Sequence, residues 1–110
     1  MLDPADVQAT LTELTAWSCH QSMARCAPDA TGILVCGGGA YNSELMRRVM
    51  QRLPLLKVES TAAHGLAVDQ VEAVAFAWLA SAWLDRRAGN LAAVTGARGP
   101  RILGALYPAT

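Results

Sequence analysis

The sequence predicts an α/β chain built around a parallel crossover, and three observations carry that prediction. Segments with helical apolar periodicity alternate with two short runs of strand length. A triple glycine, Gly37-Gly38-Gly39, joins the first run to the helix that follows it. Hydrophobic residues make up 53% of the 110 residues and charged residues only 16%, an apolar excess for a small domain. The expected order is helix, strand, glycine turn, helix, strand, helix and an irregular tail. Two strands cannot form a stable open sheet alone. Residues 1–110 therefore read as a single partial domain whose apolar surface is covered by something outside the chain.

The first helix is expected over Asp3 to Ala27. Pro4 suits a first helical turn and Asp3 or Asp6 its N-terminal end. Val7, Leu11, Leu14, Trp17 and Ser18 follow a helical period and form the expected packing stripe, continued loosely by Met23 and Cys26. Pro28 to Gly32 breaks the helix. Ile33-Leu34-Val35-Cys36 is a continuous apolar run, which favours a buried parallel strand. A second helix is expected from Asn42 to Leu53, with Leu45, Met46, Val49, Met50 and Leu53 inward and Arg47, Arg48, Gln51 and Arg52 on a wet face. Pro54 ends it. Leu55 to Ser60 reads as the second strand and Thr61 to Ala67 as a loop. A third helix is expected from Val68 to Arg86, with Asp69 as its N-cap and a stop at Ala88-Gly89-Asn90. Asn90 to Thr110 reads mostly as loop.

Composition excludes several classes. Lys+Arg and Asp+Glu are nine each, so the formal charge is zero, which argues against a general nucleic-acid binder. The apolar run Val71 to Leu84 is shorter than the roughly 20 residues a bilayer needs. No secretory pattern opens the chain. Cys19 and Cys26 on one helix would lie roughly 10 Å apart, too far for a disulfide. A reducing, cytoplasmic compartment is expected. No His/Cys/Asp cluster has metal-ligand spacing.

The glycine turn is the main chemical signal. Glycine permits positive φ and lets a ligand approach where a Cβ would stand. A helix following a strand offers free amides to an anion. Asn42 could cap that helix or reach a ligand. No Lys-Ser or Lys-Thr follows the glycines, so this is not a P-loop. A dinucleotide fingerprint competes: two of its three glycines are present, and Glu59 stands twenty residues after Gly39, where a ribose-binding acid would lie. A long helix before the motif counts against it.

Val35-Cys36-Gly37-Gly38-Gly39-Ala40-Tyr41-Asn42-Ser43-Glu44-Leu45-Met46 closely resembles the glycine segment of anhydro-N-acetylmuramic acid kinases. Pro4 to Ala16, Val71 to Ala80, and the tail from Gly89-Asn90-Leu91 through Val94-Thr95-Gly96-Ala97 to Leu103–Ala109 resemble the same family. The resemblance implies the C-terminal half of an actin-like, ribonuclease H-like lobe. It implies ATP and Mg²⁺ as cofactors and an amino-sugar substrate whose 1,6-anhydro ring is opened by water and whose 6-hydroxyl is phosphorylated, in cell-wall recycling. By that resemblance Gly37, Gly38, Gly39 and Asn42 approach the adenosine end of the nucleotide. Glu72, a lone acid in an apolar helix, is either a contact to the sugar or an acid on the helix's first exposed turn, favoured by the dipole. The family's N-terminal phosphate loop and its general-base aspartate are missing, so no catalytic residue is expected in this chain. The family's Gly-Leu-Pro-Ala-Asp appears here as Gly65-Leu66-Ala67-Val68-Asp69.

The expected partners are the missing N-terminal lobe and, because the third helix is apolar nearly all round, a second copy in a homodimer. The alternative is a stand-alone, non-catalytic nucleotide-binding or assembly module. His20 reads as structural and His64 as a solvated loop residue. Phe76, Trp78 and Trp83 read as packing residues, and Arg98 and Arg101 as surface charge.

Overall fold

A computed structural model of the chain describes residues 2–109. Its elements run α1 (Pro4–Cys26), β1 (Gly32–Val35), a one-turn 3-10 helix (Gly38–Tyr41), α2 (Ser43–Arg52), β2 (Lys57–Ser60), a second one-turn 3-10 helix (Thr61–His64), α3 (Val71–Leu84) and the single-turn α4 (Ala92–Thr95). The class is α/β, in the expected order. The residues group into two compact units, Met1–Val71 and Glu72–Thr110.

In the first unit β1 and β2 pair in parallel, with Ile33 opposite Val58, Leu34 opposite Glu59 and Val35 opposite Ser60. α2 is the crossover that a parallel pair requires. Ile33 and Val58 turn one face of the sheet toward a core of Ala16, Val49 and Leu53, with Met23, Leu45 and Leu56 around it. Leu34 is 52% exposed, so the expectation of a fully buried first strand does not hold. A parallel sheet needs a layer on each face, and α1 and α2 build the core on only one.

Asp3 caps α1 by accepting the Ala5 N–H at 2.9 Å, with Pro4 next, as the sequence indicates. The packing stripe differs from expectation. Val7, Leu11, Leu14 and Trp17 are all exposed, whereas Ala16 is 0% exposed. The face turned to α2 carries Ala9, Glu13, Ala16 and Met23. A small residue lets the two helices approach closely, and a charged pair beside it fixes the seam, so the largest apolar side chains are left outside.

Two boundaries also shift. β2 begins at Lys57 rather than Leu55, because the Leu56 N–H closes a turn on the Leu53 carbonyl. α3 begins at Val71 rather than Val68, because the Val68 carbonyl accepts from Gly37 and the Gln70 N–H closes a turn on Ala67. Asp69 is exposed and makes no hydrogen bond among the described residues, so it does not cap α3.

In the second unit α3 ends at Leu84, before the expected stop. The Arg86 N–H donates to the Trp83 carbonyl at 3.1 Å and the Arg87 N–H to Ala82 at 2.8 Å, a Schellman closure. Arg86 therefore holds the left-handed position usually given to glycine, at φ 57, and its guanidinium lies 5.4 Å from the Trp83 ring centroid. The tail is tied back to itself. Asn90 accepts the Arg101 N–H at 2.6 Å and donates to the Gly99 carbonyl at 3.2 Å, while the Gly89 N–H donates to the Arg101 carbonyl at 2.9 Å. Leu103 to Leu106 then line an apolar groove with Phe76, Leu79 and Trp83 of α3. Phe76 stays 70% exposed even so. Among the described residues no helix is long and apolar enough to cross a membrane.

The α1–α2 seam yields a stability contrast. Ala16→Leu forces bulk into a closed contact and should cost about 1–3 kcal/mol. Leu14→Ala, on the exposed stripe, should stay within about 0.5 kcal/mol. Urea unfolding of the two variants measures both, and equal losses would show that the stripe packs after all.

Candidate functional site

β1 delivers the chain to Gly37, whose φ of 76 and ψ of −177 lie in a region that is essentially glycine-only. Its N–H donates to the Val68 carbonyl at 2.7 Å, which ties the glycine turn to the segment entering α3. The 3-10 turn closes through Ala40 N–H to the Gly37 carbonyl and Asn42 N–H to the Gly39 carbonyl, both 3.1 Å. The amides of Gly38 and Gly39 stand at its start, where no preceding carbonyl is in register to receive them.

Gly38 differs from its neighbours. Its φ is ordinary, and a Cβ built on it meets nothing within 4 Å. Gly39 is closer to its surroundings, with Leu45 Cδ2 at 3.4 Å from such a Cβ. Asn42 is the N-cap of α2: its Oδ1 accepts the Leu45 N–H at 3.0 Å and its carbonyl accepts from Met46. Gly37, Gly38, Gly39 and Asn42, the residues singled out from the sequence, thus all lie at the strand-to-helix junction. Glu72 is exposed in the first turn of α3 and has no hydrogen-bond partner among the described residues.

The parallel register brings a second segment to the same sheet edge. Val35 lies beside Ser60, so the chain leaves β1 toward the glycines and β2 toward Thr61–His64 from the same end. Gly65, at φ 85, closes that turn. Glu59 is held on both oxygens, by Lys57 Nζ at 3.0 Å and His64 Nε2 at 3.1 Å. The Lys57 ammonium first, and His64 second, hold its carboxyl below the usual range. Glu59 thus has a charged or polar partner within the chain on each oxygen, an internal task that accounts for an acid at this position without a ribose. Thr61 Oγ1, at this edge, and His20 Nδ1, on α1, are buried without a partner among the described residues.

One polar cluster was not legible as such in the sequence. Glu13 of α1 accepts from Arg48 Nη1 at 2.9 Å and from Arg52 Nε, and Arg48 also reaches the Ala9 carbonyl at 3.1 Å. Glu44 accepts from Arg47 and Arg48, each at 2.6 Å. Arg48 keeps only 20% of its side chain exposed, so the expected wet face is partly an interhelical clamp. The Arg48-Arg52 spacing was the available signal, but its acid partner lies on another helix. Hydrogen bonds from Arg47, then Arg48, bring the Glu44 carboxyl down to about 2. Arg52 chiefly, and then Arg48, lower that of Glu13.

The family model of anhydro-N-acetylmuramic acid kinase matches residues 1–109. This chain belongs to the anhydro-N-acetylmuramic acid kinase family. An anhydro-N-acetylmuramic acid kinase of Variovorax paradoxus is 58% identical over 106 residues, covering 96% of this chain and 28% of that protein. One from Xanthomonas oryzae pv. oryzae is 56% identical over 108 residues, covering 98% of this chain and 29% of its own. One from Cupriavidus pinatubonensis is 54% identical over 107 residues, covering 97% and 28%. The chain thus spans under a third of the length of the kinases it matches.

Two outcomes follow for this unit. Gly37→Ala should cost about 1–3 kcal/mol, because its backbone conformation admits only glycine without strain. Gly38→Ala should leave stability within about 0.5 kcal/mol. Denaturant melts distinguish them. The acid response follows from the lowered carboxylates. Folded-state values below the unfolded ones give stability that is present above the ordinary carboxylate range and is lost as pH falls through it. For Glu44 that loss runs from its reference value of 4.5 toward about 2. Glu44→Gln should flatten unfolding free energy against pH in this window, and an unchanged slope would show that its pairs with Arg47 and Arg48 are not coupled to folding.

Proposed function

We propose that this chain supplies the adenosine-side wall of an ATP-dependent anhydro-N-acetylmuramic acid kinase, as part of an actin-like, ribonuclease H-like lobe. The carrying observation is Gly38. Neither its backbone angles nor its neighbours within the chain require glycine, so close approach by an outside group is the remaining physical reason for a residue without Cβ. The amides of Gly38 and Gly39 suit an acceptor on that group, and Gly37 shapes the turn that presents them. Asn42 contributes chiefly by setting α2, with its amide nitrogen left for the ligand. Glu72 is the proposed contact to the sugar.

The proposed reaction joins water and ATP to the 1,6-anhydro ring. Water opens the ring, and the freed 6-hydroxyl receives the γ-phosphoryl group, giving N-acetylmuramic acid 6-phosphate and ADP for cell-wall recycling in the cytoplasm. Phosphoryl transfer depends on positioning and charge stabilisation around the phosphates from more than one side. This chain offers one wall and, among the described residues, no cluster of three metal-ligating side chains. Mg²⁺ would therefore be held by the nucleotide and by the remainder of the kinase. The exposed Leu34, Phe76 and Trp78 are the surfaces that this remainder, or a second copy in a homodimer, would cover.

An ADP-release assay with the amino sugar and Mg·ATP tests this. The 110 residues alone should show no turnover above buffer, and adding the complementary part of the Variovorax paradoxus relative should restore some. In that assembly Gly38→Val should raise KM for ATP roughly tenfold with less effect on kcat. Turnover by the isolated chain, or an unchanged KM in the variant, would refute the assignment.

A further inference from the structure

The proposed function does not use Lys57, Glu59 and His64, a polar cluster at the edge of the sheet that carries the glycine turn. We propose that His64, oriented by Glu59, is a nucleotide-positioning residue that accepts a hydrogen bond from a donor on the nucleoside. This rests on the nucleotide reading of the glycine turn.

Val35 pairs with Ser60, so the segments after β1 and after β2 leave the sheet together. Neighbouring strands lie only about 4.8 Å apart. The 2.7 Å bond from the Gly37 N–H to the Val68 carbonyl then binds the glycine turn to the stretch just beyond His64. In open parallel sheets this edge, outside the carboxyl ends of the strands, is where ligands bind.

The chemistry follows from the Glu59 contact. An ionised carboxylate only accepts, so the 3.1 Å contact places the proton on His64 Nε2. In the neutral ring Nδ1 is then an acceptor, and among the described residues nothing occupies it. The side chain is 52% exposed, so a ligand can reach it. An acceptor next to a carboxylate disfavours a phosphate group and suits a hydroxyl or amino donor. Lys57, on the other Glu59 oxygen, keeps that carboxylate ionised. The donor could come from a ribose hydroxyl or from the exocyclic amine of adenine.

Two histidines make the test direct, because His20 on α1 is an internal control. ADP is titrated into the chain mixed with the complementary part of the relative, and the imidazole and glycine resonances are followed by NMR. Expected are shifts at His64 and at the Gly37–Gly39 amides, with His20 unmoved. 2′-Deoxy-ADP, 3′-deoxy-ADP and the purine analogue lacking the amine should retain the glycine shifts, and one of them should lose the His64 shift, which identifies the donor. His64→Ala should weaken ADP binding roughly three- to tenfold and abolish discrimination against that analogue. Glu59→Gln should reduce discrimination while the glycine shifts persist. Glycine shifts with a silent His64 would overturn this proposal and leave the nucleotide wall standing. Silence at both would overturn both.

Discussion

Parallel pairing of two four-residue strands is the constraint on which the first unit depends. It requires a crossover, and α2 supplies one. It sends both strand ends to one edge, so the glycines and the Thr61–His64 turn become neighbours although their sequences are far apart. It also demands cover on two faces. Only one is supplied by α1 and α2, through the small core around Ala16, Val49 and Leu53.

The site and the fold use different physics within a few residues of each other. Gly37 is glycine for a backbone reason, visible in its angles. Gly38 has no such backbone reason, and nothing around it within the chain crowds a Cβ. Asn42 has an internal task, capping α2. A run of similar residues thus divides into one that makes the turn, one that leaves room beside it and one that starts the helix.

The seam between α1 and α2 shows how polar groups can set packing. Glu13 gathers Arg48 and Arg52 from the facing helix, while Ala16 allows close approach. Exposed ion pairs alone contribute little. This pair is partly covered and also satisfies the Ala9 carbonyl, so it fixes which face of α1 turns inward. The consequence is an apolar stripe left on the surface of a chain that spans under a third of its relatives' length.

Local signals determined much of this protein. Pro4 after Asp3 started α1, Pro28 and Pro54 ended helices, an apolar run marked β1 and an alternating one β2, and the three glycines marked the turn with its positive φ. The family was legible too, because its motifs are contiguous stretches. Tertiary structure decided what depends on residues distant in sequence. Periodicity identified a stripe on α1 but could not say that a neighbouring arginine pair would select the other face. An apolar strand could not reveal that Leu34 would stay half exposed. The C-terminus of α3 was set by Arg86 over Trp83 rather than by the glycine further on. Glu59 could be placed near a strand end, yet only the folded chain shows its two oxygens taken by Lys57 and His64. Each of these follows from a partner brought close by folding, which a one-dimensional pattern does not contain.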